Sequence, residues 1–335
     1  MSDPITVPEG PITPGGPPPV PFDPDVAAAL AVVRERIPRI TSEGLRALRE
    51  STGEFTAVSL EQLRRQGSVE VEERMVPGPA GAPDISLLIC RPAAASGPVP
   101  AIYHTHGGGM ITGTSLDGLP ELQDAAGLDV AIVSVEYRLA PEHPHPAPVE
   151  DCYAGLVWTA GHAAELGIDP GRMVIAGGSA GGGLAAATAL LARDRGGPAL
   201  AGQMLLCPMI DDRNDTPSSS QMAGLGVWDH GDNEFGWTAL LGEARGGPDV
   251  SPYAAPARAT DLSGLPPAFI DVGSAETFRD EDVAYATGIW RAGGIAELHV
   301  WPGGCHGFDR FAPHAAISIA ARRARREWLR RILAA

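Results

Sequence analysis

Between Met173 and Arg193 the chain reads MVIAGGSAGGGLAAATALLAR, a short apolar run, a glycine-rich corner and an Ala- and Leu-rich stretch. The first part has the texture of a buried strand and the last that of a helix, so strand and helix must meet inside the corner. A G-x-S-x-G corner of this kind forces its serine, Ser179, toward positive φ and raises the hydroxyl above the sheet. Gly177 and Gly181 leave room for the turn, because a Cβ at either position would crowd it. The helix that follows aims its first N–H groups and the positive end of its dipole at any anion forming beside Ser179. In a chain with 42 glycines the bare pattern means little, and the strand before it and helix after it carry the weight. A phosphate-binding loop is the competing reading, but the G-x-x-x-x-G-K-[ST] spacing is absent and no lysine lies nearby.

The same alternation extends along the chain. Strands are expected at Val69 to Val76, Ile85 to Cys90, Pro100 to Tyr103, Val130 to Val135, Met173 to Ala176, Met204 to Cys207, Ala268 to Val272 and Glu297 to Val300. Helical patterns separate most of them, which predicts an α/β fold with an eight-stranded, mainly parallel sheet covered by helices on both faces. Two stretches break the rhythm. Residues 23–67 look helical: Asp23 with Pro24 reads as an N-cap and first turn of a helix that Pro38 stops, a second helix is expected around Leu45 to Arg49, and Ser59 with Gln62 forms a capping box before a third helix that Gly67 ends. Residues 211–262 lie between the sixth and seventh strands and contain Trp228, Phe235 and Trp237. Both stretches are read as parts of one helical cap. The division that follows is an extended tail at 1–22, a cap segment at 23–67, a first catalytic segment at 68–210, a cap insertion at 211–262 and a second catalytic segment at 263–335. The tail carries eight prolines and no apolar period.

The formal charge of −16 excludes non-specific binding to nucleic acid or to an anionic lipid surface, since both would repel the chain. The N-terminus lacks a basic segment followed by an apolar one, and no apolar run is long enough to span a bilayer, so a cytoplasmic location without a membrane partner is expected. Cys90, Cys152, Cys207 and Cys305 are far apart, form no C-x-x-C pair, and are read as free thiols with no metal site.

A second glycine run, His106-Gly-Gly-Gly109, follows the third expected strand. It lets the N–H groups of Gly107 and Gly108 converge with that of Ala180 as donors to an oxyanion. His106 is read as fixing this loop and His104 as structural. The base that would activate Ser179 is best sought in His306, which lies in a loop after the last strand; His143 and His145 fall in a Pro-rich loop, His162 and His314 in helical patterns, and His230 in the cap. Cys305 is a poor nucleophile candidate because it occupies no elbow. Asp271, Glu276 and Asp280 all lie near the end of the seventh strand as candidates for the acid that orients the imidazole. Glu276 is favoured, since a loop carboxylate can reach across to His306, and Asp280 remains the alternative. Met110, Trp228, Phe235 and Trp237 are candidate pocket residues, with ordinary packing the competing role for each aromatic.

These motifs together resemble the hormone-sensitive-lipase-like esterases, also called bacterial family IV. The resemblance covers roughly residues 68 to 312 and rests on His106-Gly-Gly-Gly109, Tyr137-Arg-Leu-Ala-Pro-Glu-His-Pro144, Gly177-Gly-Ser-Ala-Gly-Gly182, the segment Gly273 to Glu281 and His306-Gly-Phe308. It implies a capped α/β-hydrolase fold and hydrolysis of short to medium acyl esters of small molecules without a cofactor. Many relatives are dimers, so a homodimer is an expectation, and Arg138 would pair with Asp151. Three positions depart from the family's habit: Gly178 stands where Asp is common, Gly183 where Asn is common, and Glu276-Thr277 where Asp-Pro is common. Two other functions suit the same scaffold, a ligand receptor that has lost part of the triad and an amide or lactone hydrolase that keeps it. The presence of both Ser179 and His306 argues against the receptor.

Overall fold

A computed structural model describes residues 18–35, 40–41, 44–47, 49, 58–127 and 129–334, to which all structural statements refer. Eight strands form one sheet: β1 (Val69–Val76), β2 (Ile85–Pro92), β3 (Val99–Thr105), β4 (Ala131–Glu136), β5 (Ile168–Gly178), β6 (Gly202–Leu206), β7 (Ala268–Gly273) and β8 (Ala296–Trp301). Their spatial order is β1-β2-β4-β3-β5-β6-β7-β8. β2 runs antiparallel to both its neighbours, and every pair from β4 through β8 is parallel.

Period-two alternation along the central strands feeds two cores. Ala101, Tyr103, Met173, Ile175 and Ile270 face one side with the helices Ala147–Gly161, Ala180–Arg195 and Arg279–Arg291. Ile102, Val174, Ala176, Met204 and Phe269 face the other, against Leu119 and Leu122 and the Trp328, Leu329 and Leu333 side chains of the C-terminal helix Ala316–Leu333. Both faces of these strands are therefore dry, which is why they read as nearly unbroken apolar runs. Carboxyl ends of parallel strands then gather at one edge, where loops can present side chains.

All eight expected strands are present, Val69–Val76 as expected and the other seven with one or both ends shifted. β5 begins at Ile168, earlier than Met173, because Ile168 pairs with Val99 before a register shift leads to the Ala101–Met173 pair; the Pro and Gly between them obscured that extension. The Asp23 side chain caps the helix Pro24–Arg34 by accepting from the amides of Asp25 and Val26. That helix was expected to run on to Pro38, and residues 36–39 lie outside the described ones. Of the helix expected around Leu45 to Arg49, Leu45–Ala47 and Arg49 are helical, while residue 48 lies outside the described residues, as do residues 1–17 of the expected tail. The Ser59–Gln62 capping box forms in both directions.

Between β6 and β7 lie the helices Pro217–Gln221 and His230–Leu241. The N-terminal stretch touches this segment: Arg34 donates to the Gly224 carbonyl at 2.9 Å and the Gln221 amide to that of Pro18. Val26 and Leu30 pack with Cys305 and Phe308 in a third, smaller core, so the first helix braces the chain on both sides of His306.

One ion cluster lies in the interior beneath this edge. Arg325 of the last helix donates Nε to Asp271 Oδ2 at 2.8 Å and Nη1 to Asp309. Burial opposes the guanidinium charge, but the two carboxylates outweigh it and hold its pKa above the ordinary value. Arg325→Met removes the cation and leaves two enclosed acids facing each other. It is expected to destabilise the protein by about 3–5 kcal/mol, read as a lowered midpoint in urea unfolding.

Candidate active site

Ser179 sits between β5 and the helix Ala180–Arg195 with φ 57° and ψ −127°. Three backbone bonds hold it there: its amide donates to the Leu206 carbonyl (2.8 Å), and its own carbonyl accepts from Gly183 (3.0 Å) and Met209 (3.0 Å). The flanking glycines are sterically required. A Cβ on Gly177 would lie 2.3 Å from the Gly181 carbonyl oxygen, and one on Gly181 only 2.1 Å from that of Thr105. Thr105 closes the corner by donating Oγ1 to the Gly181 carbonyl at 2.7 Å.

His306 arrives from the loop after β8, with Nε2 2.9 Å from Ser179 Oγ and Nδ1 3.0 Å from Glu276 Oε1. The carboxylate's other oxygen accepts from the Gly273 amide at 3.0 Å, which fixes its plane. Phe278 meets the imidazole edge-on at 5.2 Å between ring centroids. The two rival acids point elsewhere. Asp280 accepts from the Ser218 amide and pairs with Arg279, while Asp271 is taken by Arg325 and Trp301. Hydroxyl, imidazole and carboxylate thus form a continuous hydrogen-bonded relay from three separate loops.

The His106–Gly109 loop lies against this corner: a Cβ on Gly107 would fall 3.0 Å from the Gly178 carbonyl oxygen and 3.6 Å from the Ser179 Cβ. Gly108 adopts φ 110°, and its carbonyl accepts from Ile111 and Thr112, which curls the loop after Gly107. Ala180 is the first residue of its helix, where no preceding turn supplies a carbonyl for its N–H. His106 stacks on Tyr137 at 4.0 Å and contacts the Gly107 carbonyl through Nδ1, and Tyr137 donates to the His106 carbonyl at 2.7 Å. Burial lowers the pKa of His106 despite nearby Glu136 and Asp117, so the ring stays neutral and serves as a strut.

Among the candidate pocket residues, Trp228 turns the edge of its ring to the glycine loop, where a Cβ on Gly109 would come 2.3 Å from its Cη2 atom. Met110 is buried with φ 61°, and its Cε approaches Gly183. Phe235 is half-buried against the main core, and Trp237 is wholly enclosed within it. The pairing of Arg138 with Asp151 is bidentate, at 2.8 and 2.7 Å, with the Arg138 amide also donating to the same carboxylate.

Sequence reasoning passed over Glu281 and Asp282, both buried in the first turn of the helix Arg279–Arg291. Glu281 accepts from the Ile210 and Asp211 amides, tying down the segment after β6, whereas neither oxygen of Asp282 has a partner among the described residues. Burial lifts both carboxyls well above the usual range. Three successive acids after an arginine were the available signal, but a helix N-terminus explains acids on charge grounds alone. Cys207 was also passed over as a neighbour of the site; it follows β6 with φ 38°.

An elbow serine, an imidazole and a carboxylate in relay at the carboxyl edge of such a sheet define a serine hydrolase. Comparison with known proteins agrees: the α/β-hydrolase fold family matches residues 102–310. Carboxylesterase NlhH of Mycobacterium tuberculosis is 39% identical over 255 residues, 73% of this chain and 77% of the relative, and esterase LipI of the same organism is 35% identical over 73% and 76%. Among solved structures a bacterial heroin esterase superposes with a TM-score of 0.85 at 38% identity, covering 93% of this chain and 98% of the other. Esterase LipW of Mycobacterium marinum reaches 0.82 at 34%, covering 93% and 96%. The chain belongs to the α/β-hydrolase family, among its hormone-sensitive-lipase-like esterases.

His104 supplies a pH test of the scaffold. It is buried against Ser134, and burial, then His106 and Arg310, push its pKa down to about 3. Unfolding restores an ordinary imidazole that binds a proton below pH about 6.5, so the unfolded state gains protons and stability falls as pH drops through that value. Between pH 6 and 4 this residue is expected to contribute a loss of about 1.4 kcal/mol per pH unit, and His104→Gln to flatten the slope measured by urea unfolding at each pH.

Proposed function

We propose that this protein hydrolyses carboxylic esters of small molecules by a two-step acyl-enzyme cycle, with Ser179 as nucleophile, His306 as general base and acid, and Glu276 as the residue that orients the imidazole. In the first step Ser179 Oγ attacks the ester carbonyl while His306 takes its proton. The imidazolium then protonates the leaving alcohol, and water, deprotonated by the same nitrogen, releases the acid. Glu276 stabilises the imidazolium in both halves. The N–H groups of Gly107, Gly108 and Ala180 donate to the tetrahedral oxyanion, where preorganised donors contribute more than they would in water.

The observation that carries this reading is the relay at 2.9 and 3.0 Å on an elbow serine with positive φ. Esterase names on the relatives support the ester bond as the target. Met110, Trp228, Phe235 and Trp237 are assigned to the substrate pocket, a reading supported for Trp228 and Met110 by their approach to Gly109 and Gly183. Residues 23–67 and 211–262 are assigned to one cap, a reading supported by the Arg34–Gly224 and Gln221–Pro18 contacts.

Ser179→Ala or His306→Ala is expected to lower kcat by roughly 10⁴- to 10⁶-fold with the fold intact. Glu276→Ala should cost about 10⁴-fold, and Asp280→Ala far less; the reverse ranking would transfer the acid role to Asp280. Wild type should show a burst of product with an activated aryl ester, which a receptor would not. Across aryl esters from acetate to palmitate, the rate is expected to fall beyond acyl chains of about eight carbons, because an enclosed pocket accepts only the chain length its walls allow.

A further inference from the structure

Cys207 has no part in the relay, yet it lies beside it. Its sulfur, a carboxylate oxygen of Glu276 and a ring nitrogen of His306 all fall within 4.8 Å of one another. The backbone holds the cysteine there: its amide donates to the Asp271 carbonyl at 2.6 Å as the chain leaves β6. One thiol, one imidazole and one carboxylate form a mixed S, N, O donor set of the kind that binds zinc, with bonds of about 2.0–2.3 Å that bring such atoms to roughly 3.5 Å from one another. Closing from the present spacing needs movements of about an ångström, within the reach of side-chain rotation.

The surroundings favour a cation. Glu276, Glu281 and Asp282 are buried close together, and among the described residues none of the three forms an ion pair with an arginine. Arg325, the nearby buried cation, is already shared between Asp271 and Asp309. A divalent ion that displaces the Cys207 thiol proton and binds the Glu276 carboxylate takes the charge of this group from −1 to zero, which lowers the cost of enclosing it.

We propose that Cys207, Glu276 and His306 form a site for a thiophilic divalent cation, Zn²⁺ or Cd²⁺, and that its occupation switches the hydrolase off. On binding, the Cys207 thiol proton leaves to solvent as the sulfur–metal bond forms; no electron is transferred. The metal draws the imidazole and the carboxylate out of the Ser179 relay, and a water completes four-coordination. Hard ions such as Mg²⁺ do not substitute, because they prefer oxygen donors. The inhibitory half of this proposal rests on His306 and Glu276 serving the relay as proposed above, whereas the binding half does not.

The test titrates chelator-treated protein with Cd²⁺ while recording both the ultraviolet sulfur-to-cadmium charge-transfer band and aryl-ester hydrolysis. One equivalent is expected to raise the band and abolish hydrolysis, and a chelator to restore activity. Mg²⁺ should do neither. Cys207→Ala and Cys207→Ser, checked for native circular dichroism, should hydrolyse ester within about twofold of wild type without metal. Both should lack the band and need at least about tenfold more Cd²⁺ for half-inhibition. Ser179→Ala, inactive on the reading above, should still raise the full band, which separates failure of the metal site from failure of the catalytic assignment. A band that survives in both Cys207 variants, an unchanged half-inhibiting concentration in them, or a wild-type band without inhibition would each overturn the proposal.

Discussion

The structure around the site depends on three backbones meeting at less than side-chain distance. The end of β3, the end of β5 and the start of the helix Ala180–Arg195 come so close at Gly177 and Gly181 that no Cβ fits, and Thr105 spans the junction with its hydroxyl. That contact gives Ser179 its positive φ, points the helix N-terminus at the hydroxyl and brings the His106–Gly109 loop alongside. Strain at one residue is tolerable because packing on both sides over-determines it.

Around that corner the relay is assembled from parts with independent supports. Glu276 is held by the Gly273 amide at the end of β7, and His306 by a loop braced on one side by Phe278 and on the other by the small core of Val26, Leu30, Cys305 and Phe308. The N-terminal helix, remote in sequence, thereby acts on the position of the imidazole. Charges are segregated as well: Arg325 neutralises Asp271 and Asp309, while Glu281 accepts from two amides and Asp282 has no partner among the described residues. The hydrogen-bonded relay thus sits beside buried carboxyls that, among the described residues, have no arginine partner.

Much of this could be read before the fold was known. Eight strands, the elbow and the glycine loop announce themselves through local pattern, because a strand buried on both faces must be apolar and a tight corner must be glycine. His306 stands out because it follows the last strand, whereas His143 and His145 fall in a Pro-rich loop, His162 and His314 in helical patterns and His230 in the segment assigned to the cap. What local pattern could not separate was Asp271, Glu276 and Asp280, three acids within ten positions of one another at the end of one strand. Nor could it place Cys207, Glu281 and Asp282 near the relay, since each is unremarkable in its own neighbourhood.

The boundary between the two kinds of knowledge follows from the range of the interactions. Patterns of period two and 3.6, caps and glycine corners involve residues a few positions apart, so the sequence alone determined the strands, the elbow serine and the fold class they build. Which carboxylate meets the imidazole, which thiol lies beside it and which helix braces its loop depend on contacts between residues up to about three hundred positions apart. Chain order does not specify such distances; only the closing of the sheet and the packing of its helices decided them.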